Sequence, residues 1–148
     1  MSLRFVRSVA DEPPLINFAD LAINDELKRN IAALGHSTAT PVQTASLPPL
    51  MAGEDVVAKA RTGTGKTLAF LIPTLQRLST EDRQRTKIRA LVLSPTRELA
   101  AQIGEAAGSL VAGGGLRTAV IFGGVSMNRD RKALAGDIDL LVATPGRL

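Results

Sequence analysis

Ala60-Arg61-Thr62-Gly63-Thr64-Gly65-Lys66-Thr67 is the stretch of this sequence that decides the fold. Apolar residues precede it at 56–58 and follow it at 68–72, so it lies where a strand turns into a helix. Gly63 and Gly65 allow positive φ angles and a close approach of the backbone to an anion. The first turn of the helix adds N–H groups without intrahelical partners. The sequence therefore predicts a phosphate-binding loop.

Two polar side chains in this loop suit triphosphate chemistry. Lys66 supplies a mobile cation for the β and γ phosphates, and Thr67 supplies a hydroxyl that can bind Mg²⁺, an ion that takes few protein oxygens. The strict motif begins with Gly where this chain has Ala60, but the core Gly63 to Thr67 is intact. The alternative is a tight turn without a ligand, and the flanking strand and helix argue against it.

Length and composition limit the class of protein. A chain of 148 residues fits one domain. With no cysteine and one histidine, His36, it offers no disulfide, thiolate nucleophile or cysteine-based metal site. The net charge of +4 favours a polyanionic partner, although the charged residues form no long basic block. No apolar run reaches the roughly 20 residues of a membrane span. We expect an intracellular, cytoplasmic protein, with the nucleus or an organelle left open.

Taken in order, the chain predicts a helical start and then alternating strands and helices. Residues 1–16 predict a flexible, extended arm, and residues 79–89 predict an exposed linker. Helices are expected after the caps Asn24 and Thr40, and Pro48-Pro49 should kink or end the second one. Strands are predicted at 56–59, 90–94, 118–122 and 140–143, with helices at about 66–78, 96–111 and 127–135.

This alternation is typical of an α/β fold with a parallel sheet covered by helices on both faces. Ligands of such sheets lie outside the carboxyl ends of the strands. The segments that follow these ends are 60–67, 95–100, 123–126 and 144–148. We therefore expect all four segments at one edge of the sheet, in a shared site.

These segments, in this order, resemble the motifs of the first RecA-like domain of DEAD-box ATP-dependent RNA helicases. The Q motif is similar to Gly35-His36-Ser37-Thr38-Ala39-Thr40-Pro41-Val42-Gln43, which Phe18 precedes as an isolated aromatic. Motif I is similar to residues 60–67, motif Ia to Pro95-Thr96-Arg97-Glu98-Leu99-Ala100, the GG element to Gly123-Gly124, and motif Ib to Thr144-Pro145-Gly146-Arg147-Leu148. The resemblance implies a RecA-like P-loop domain over residues 17–148, incomplete at its C-terminal end.

The resemblance also implies two sets of site residues. ATP with Mg²⁺ would be held by Phe18, Gln43, Ala60, Arg61, Thr62, Gly63, Thr64, Gly65, Lys66 and Thr67, with Lys66 and Thr67 as the catalytic pair and Thr67 on the metal. The RNA backbone would be held by Pro95, Thr96, Arg97, Gly123, Gly124, Thr144, Pro145, Gly146 and Arg147.

Within the nucleotide set, the planar amide of Gln43 suits the edge of adenine, and Phe18 can pack on the base. The alternatives are an exposed helical glutamine and a core aromatic, and we interpret His36 as a packing residue. Arg61 departs from the family, which usually has Gln there, and adds a charge beside the nucleotide.

Within the RNA set, hydroxyl, guanidinium and backbone N–H groups occur together in each of two segments, as is typical of binding to phosphate oxygens. Such contacts read the backbone and not the bases, and the affinity falls with salt. For Arg97 and Arg147, salt bridges within the protein are the alternative.

Phosphoryl transfer needs further groups, namely another metal ligand, a group that orients water and more positive charge. The chain carries no Asp-Glu-Ala-Asp or Ser-Ala-Thr segment, and Asp137 and Asp139 precede a strand where a metal ligand would follow one. We expect a fragment that binds nucleotide weakly at most and hydrolyses no ATP alone. The parent would be an ATP-dependent RNA helicase with a second RecA-like domain as partner and no membrane association.

Two alternatives come from other functional classes. A non-catalytic nucleotide- or RNA-binding module would retain the loop without hydrolysis, and a reading frame that closes just after Leu148 would favour it. A small P-loop kinase would need an acceptor site and a lid, and segments 95–100 and 144–148 argue against it.

Overall fold

A computed structural model describes residues 3–7, 14–81, 88–124 and 127–148. The chain divides into two compact units, residues 1–76 and 77–148. The predicted boundary between an arm and a single domain at residues 16 and 17 stays a prediction. None of the helices in the described ranges is long and apolar enough to cross a membrane.

The first unit contains two capped helices. Helix α1 (Asp25–Ala33) begins at Asn24, whose side chain accepts a hydrogen bond from the Leu27 backbone N–H at 2.8 Å. Helix α2 (Pro41–Met51) begins at Thr40 with a complete capping box. Both caps are confirmed, and each helix turns apolar side chains inward, among them Ile31 and Leu47, which are fully buried.

Pro48 and Pro49 do not end α2, which runs on to Met51. A proline lacks its own N–H donor but keeps its carbonyl as an acceptor. Here the Pro48 carbonyl accepts from the Ala52 N–H and the Pro49 carbonyl accepts from the Glu54 N–H, both at 3.0 Å. The two prolines therefore close the last turn of the helix as acceptors.

A strand lies within the stretch that the sequence predicted as a flexible arm. Strand β1 (Leu3–Arg7) pairs in parallel with β2 (Asp55–Lys59), in a register that sets Leu3 opposite Asp55 and Arg7 opposite Lys59. The pairing uses backbone groups, which every residue except proline carries in full, so the side-chain pattern gave no signal for it. The prediction for residues 8–13 lies outside the described residues.

The loop at residues 60–67 connects β2 to helix α3 (Lys66–Thr80), as the sequence predicted. Apolar side chains of α3 that include Ala69, Ile72 and Leu75 recur at helical spacing and are buried. The strand and the helix on either side of the loop are thus both present.

The second unit is a parallel three-stranded sheet with the order β3-β5-β4. Its strands are β3 (Ala90–Leu93), β4 (Thr118–Ile121) and β5 (Leu140–Ala143). Helix α4 (Arg97–Leu110) packs against β4 and β5, and helix α5 (Met127–Leu134) packs against β4. All residues of the central strand β5 are buried, as expected for a strand with neighbours on both sides. The α/β class and the positions of these elements are confirmed.

Gly104 sets the distance between α4 and the sheet. A Cβ at this position would collide with the Cγ2 methyl of Val120 on β4. Only a residue without a side chain lets the helix lie this close, and the buried residues Ala100 and Ala107 on either side of it are also small.

A nearly buried ion pair joins Arg89 to Asp139. The Arg89 Nη1 and Asp139 Oδ1 atoms are 2.9 Å apart, and the side chains are 10% and 9% exposed. Arg89 Nη2 also donates to the Leu78 carbonyl at 2.8 Å, while Asp139 Oδ2 accepts from the Arg117 backbone N–H at 2.9 Å. The sequence predicted an exposed linker over residues 79–89, and for Arg89 this prediction is wrong. The prediction for residues 82–87 lies outside the described residues.

Candidate functional site

The loop at residues 60–67 is a compact turn whose shape depends on two glycines. Gly63 and Gly65 adopt φ angles of +81° and +91°, which side-chain-bearing residues rarely reach. The Thr64 hydroxyl donates to the Arg61 carbonyl at 2.7 Å, while Ala60 and Thr62 complete the turn. The positive φ angles that the sequence predicted are confirmed at both glycines.

Lys66 points back into the loop. Its ammonium donates to the carbonyl oxygens of Ala60 and Arg61, the second at 3.2 Å. These two carbonyls hold the ammonium within the loop. Arg61 contacts Lys66 and Thr64 through its backbone carbonyl, and the residue is exposed.

Thr67 is half-buried in the first turn of α3. Its hydroxyl oxygen is a hard ligand of the kind that Mg²⁺ takes, beside phosphate oxygens and waters. In the described part of the chain, His, Cys, Asp and Glu form no group of three or more that could hold a metal. The binding of Mg²⁺ by Thr67 stays a prediction.

Gln43 is bound to the loop. Its Oε1 accepts from the Thr40 backbone N–H at 2.8 Å, and its Nε2 donates to the Gly65 carbonyl at 2.9 Å. The residue is 2% exposed, so it is not the exposed helical glutamine that the sequence left open as an alternative. In this structure its amide holds the loop, and contact with adenine stays a prediction.

Thr40 is a second link to the loop, and the sequence indicated only its role as a helix cap. Its hydroxyl accepts from the Gln43 backbone N–H at 3.4 Å and donates to the Thr64 carbonyl at 2.8 Å. The capping-box spacing of Thr40 and Gln43 was a signal for the helix start. This spacing did not indicate that the side chains of Thr40 and Gln43 also contact the loop, which lies more than 20 residues further along the chain.

Phe18 lies in the wall of a cavity of 490 Å³. The residue is 3% exposed, and the cavity is also lined by Lys28, Arg29 and His36. His36 is exposed, so its interpretation as a packing residue is wrong. Among the described residues that line this cavity are neither Gln43 nor residues 60–67, so the structure does not bring Phe18 and Gln43 into one pocket.

In the second unit, three predicted segments follow the carboxyl ends of adjacent parallel strands. The last residues of these strands, Leu93, Ala143 and Ile121, stand opposite one another in register. Pro95-Thr96, Thr144 and Gly123 come next in the chain, so they start from the same edge of this sheet. The expected shared edge is therefore present for these three segments.

Arg97 and Gly124 are in direct contact at this edge. A Cβ on Gly124, which has a φ angle of +86°, would collide with Nη1 of the Arg97 guanidinium. Thr96 caps α4 by accepting from the Leu99 backbone N–H at 3.2 Å, and Pro95, Thr96 and Arg97 are all exposed. No salt bridge of Arg97 occurs among the described residues, so its guanidinium is accessible to an anion at the helix start.

Arg147 is held by an acidic partner. It ends the 3-10 helix Pro145–Arg147, and its Nε lies 2.5 Å from Oδ2 of Asp130 on α5. The salt bridge that the sequence left open as an alternative is therefore present for Arg147. Thr144 is 8% exposed, whereas Pro145 and Gly146 are exposed.

Comparisons with known proteins agree on one family. The family model described as DEAD/DEAH box helicase matches residues 40–148. The ATP-dependent RNA helicase RhlB of Vibrio vulnificus is 42% identical over 135 residues, which cover 88% of this chain and 31% of that protein. The RhlB of Idiomarina loihiensis is 44% identical over 134 residues, covering 88% and 32%.

A solved structure is also similar. The DEAD box protein from the hyperthermophile Methanococcus jannaschii superimposes with a TM-score of 0.78 at 36% sequence identity, covering 88% of this chain and 35% of that one. The chain spans about a third of the length of the curated relatives described above. The match to the family model covers well over half of these 148 residues. The chain therefore belongs to the DEAD/DEAH box helicase family.

Proposed function

We propose that this chain is the ATP-binding and RNA-backbone-binding part of an ATP-dependent RNA helicase. The observation that carries the proposal is the loop at residues 60–67, in which the Lys66 ammonium lies against backbone carbonyls and the buried Gln43 side chain holds Gly65. A simple connection needs neither feature. Both are useful where a loop must keep its shape around a triphosphate.

The loop residues would act on the phosphates directly. The backbone N–H groups at the start of α3 would bind phosphate oxygens, favoured by the positive end of the helix dipole. The Lys66 ammonium would exchange the Ala60 and Arg61 carbonyls for the β and γ phosphates, which carry more negative charge. ATP would thus replace contacts that the loop makes with itself.

Thr67 would hold Mg²⁺ together with the phosphate oxygens. The ion, when bound, neutralises negative charge that develops during phosphoryl transfer. The half-buried position of Thr67, next to Lys66, supports this role. Lys66 and Thr67 remain our proposed catalytic residues.

The base would be bound by Phe18 and Gln43, as the family resemblance implies. The cavity beside Phe18 has a volume typical of small-molecule sites, but its lining does not include Gln43, so the two residues would have to come together around the base. Gln43 would have to exchange its bond with the Gly65 carbonyl for the edge of adenine. Such an exchange would couple recognition of the base to the shape of the phosphate loop.

RNA would be bound through its phosphates at the carboxyl edge of the sheet in the second unit. The contact between Arg97 and Gly124 joins two of the predicted segments, and Thr144 lies at the end of the strand between them. These groups are donors in exposed or edge positions, which suits phosphate oxygens. Pro95, Gly123, Pro145 and Gly146 would contribute backbone shape.

In the full protein, a second RecA-like domain would be the partner that completes the ATP site. Closure of the two domains on ATP and single-stranded RNA would bend the RNA backbone and destabilise a short duplex, and hydrolysis would reset the protein. Substrates of this kind, ATP and RNA, also fit the expected cytoplasmic location.

We expect weak, salt-sensitive binding of single-stranded RNA by this chain. Binding that uses phosphate contacts should show similar affinities for oligouridine and oligoadenosine of equal length, because the bases are not read. Each phosphate contact should add about 0.7 to the negative slope of log K against log salt concentration. Fluorescence anisotropy of labelled RNA over a salt series measures both quantities.

Arg97→Ala should lower the affinity and reduce this slope by about 0.7. Arg77→Ala is the matched control, because Arg77 is an exposed arginine on α3 that pairs with Glu81 and lies outside the proposed RNA contacts. Affinity that does not change with salt, or a strong preference for one base, would contradict the proposed mode of binding.

A further inference from the structure

Asp130 is an acidic residue that the family motifs leave without a role. It lies on α5, is 8% exposed, and contacts Arg147 through the 2.5 Å distance between its Oδ2 and the arginine Nε. The two side chains are only 11% and 20% exposed. Ions so little exposed to water are screened less by salt than surface pairs are.

The contact fixes the far end of a long side chain. The Arg147 backbone N–H donates to the Thr144 carbonyl at 3.0 Å, which holds the main chain of the turn. Asp130 then restrains the guanidinium, whose side chain would otherwise lose much rotamer freedom on binding a ligand. The Nε contact takes one of the five donors of a guanidinium.

We propose that Asp130 is a positioning residue that orients the Arg147 guanidinium toward a phosphate of single-stranded RNA. The inference rests on the proposed binding of RNA by this unit. Asp130 does not contact RNA itself. It lowers the entropy cost of the arginine contact by holding the side chain in the direction that binding requires.

The sign of the effect separates positioning from general electrostatics. Removing a negative charge near a bound polyanion raises affinity when the charge acts only through its field. Removing a positioning carboxylate lowers affinity, because Arg147 loses its preferred direction. The two accounts therefore predict opposite changes for Asp130→Asn.

The experiment compares Asp130→Asn, Arg147→Ala and the double variant with the unchanged chain. Binding of labelled oligouridine is measured by anisotropy over a salt series, with circular dichroism and thermal unfolding as controls for folding. Asp137→Asn is the matched control, since it removes the same charge from an exposed residue of the same unit. The double variant is the readout that separates positioning from a merely structural role, because a structural role of Asp130 would add its own loss to that of Arg147→Ala.

We expect Asp130→Asn to bind RNA about threefold or more weakly and Asp137→Asn to bind as well as or better than the unchanged chain. Arg147→Ala should reduce the salt slope by about 0.7, and the double variant should be no weaker than Arg147→Ala. This non-additivity is expected because Asp130 acts only through Arg147.

Each other outcome overturns the inference. Weaker binding by Arg147→Ala with unchanged or tighter binding by Asp130→Asn would overturn the role of Asp130 alone. An Arg147→Ala variant that binds normally, while Arg97→Ala does not, would remove Arg147 from the RNA site and the inference with it. Absence of any RNA binding would overturn the proposed function as well.

A measurement on the unchanged chain covers the case in which Asp130→Asn fails to fold. The Nε–H signal of Arg147 in an NMR spectrum reports its bond to Asp130. If Asp130 positions the arginine, this signal keeps the shift of a hydrogen-bonded group when oligouridine is added. Loss of the bond on RNA binding would mean that Asp130 competes with RNA, which contradicts the proposal.

Discussion

Replacing Asp139 by alanine is expected to lower the free energy of unfolding by about 3–5 kcal/mol. The change leaves the Arg89 guanidinium nearly buried without its closest carboxylate partner, since the other, Glu81, is half exposed and lies 3.9 Å away. It also removes the acceptor of the Arg117 backbone N–H, which precedes β4. An unpaired charge away from water costs far more than the loss of a surface contact. Urea denaturation followed by circular dichroism measures the difference.

Arg77→Ala is the matched control for this prediction. Arg77 pairs with Glu81 at 2.8 Å, but the two side chains are 71% and 50% exposed. Exposed pairs one helical turn apart contribute only about 0.3–0.5 kcal/mol. If Asp139→Ala proved as mild as Arg77→Ala, the interpretation of Arg89 and Asp139 as a stabilising, nearly buried ion pair would be wrong.

Gly65→Ala is expected to weaken nucleotide binding more than about tenfold, which corresponds to about 1.4 kcal/mol. The substitution has two costs. The φ angle of +91° is strained for alanine, and the new Cβ would collide with the Nε2 atom of buried Gln43. Because Gln43 is enclosed, the loop must move, and the positions of its N–H groups change with it. Binding of a fluorescent ATP analogue measures the loss.

Gly63→Ala separates these two costs. Gly63 has a similar φ angle of +81°, but a Cβ there would meet open space. We expect only the strain of the backbone, about 1–2 kcal/mol in the stability of the loop, and a smaller loss of binding. Equal effects of the two glycine substitutions would contradict the role of Gln43 as a support of the loop.

Much of the fold could be predicted because its signals are local. A few neighbouring residues are enough to predict the helix starts at Asn24 and Thr40 and the strands β4 and β5. The same holds for the loop at 60–67, where the glycine spacing fixes the backbone. Such local signals agree with the global fold, so they predict these elements without knowledge of the distant segments.

Pairing between distant segments could not be predicted in the same way. The pairing of β1 with β2 depends on backbone groups, and its side-chain pattern resembled that of an unpaired arm. The apolar sequence of strand β3 also predicts a fully buried strand. In the structure β3 is an edge strand of its sheet, and Leu91 and Leu93 are about half exposed. An apolar run does not reveal how many neighbours a strand will have.

The site shows the same limit. Its residue types were predicted, because glycine, lysine and threonine have distinct roles beside phosphates. The contacts of Thr40, Gln43 and Asp130 with Thr64, Gly65 and Arg147 were not predicted, since each contact joins separate segments. A side chain that supports a site from elsewhere in the chain leaves no local pattern in the sequence.

The central claim, an adenine nucleotide site built on the loop at residues 60–67, is tested most directly by ATP binding to this chain and to its Lys66→Ala variant. GTP serves as the competing nucleotide, and Lys132→Ala, which removes an exposed lysine of α5, controls for net charge. We predict that ATP binds at least about tenfold more weakly to Lys66→Ala and normally to Lys132→Ala, and that GTP competes poorly. Equal binding of ATP by the unchanged chain and Lys66→Ala, or displacement by GTP as effective as by ATP, would contradict the claim.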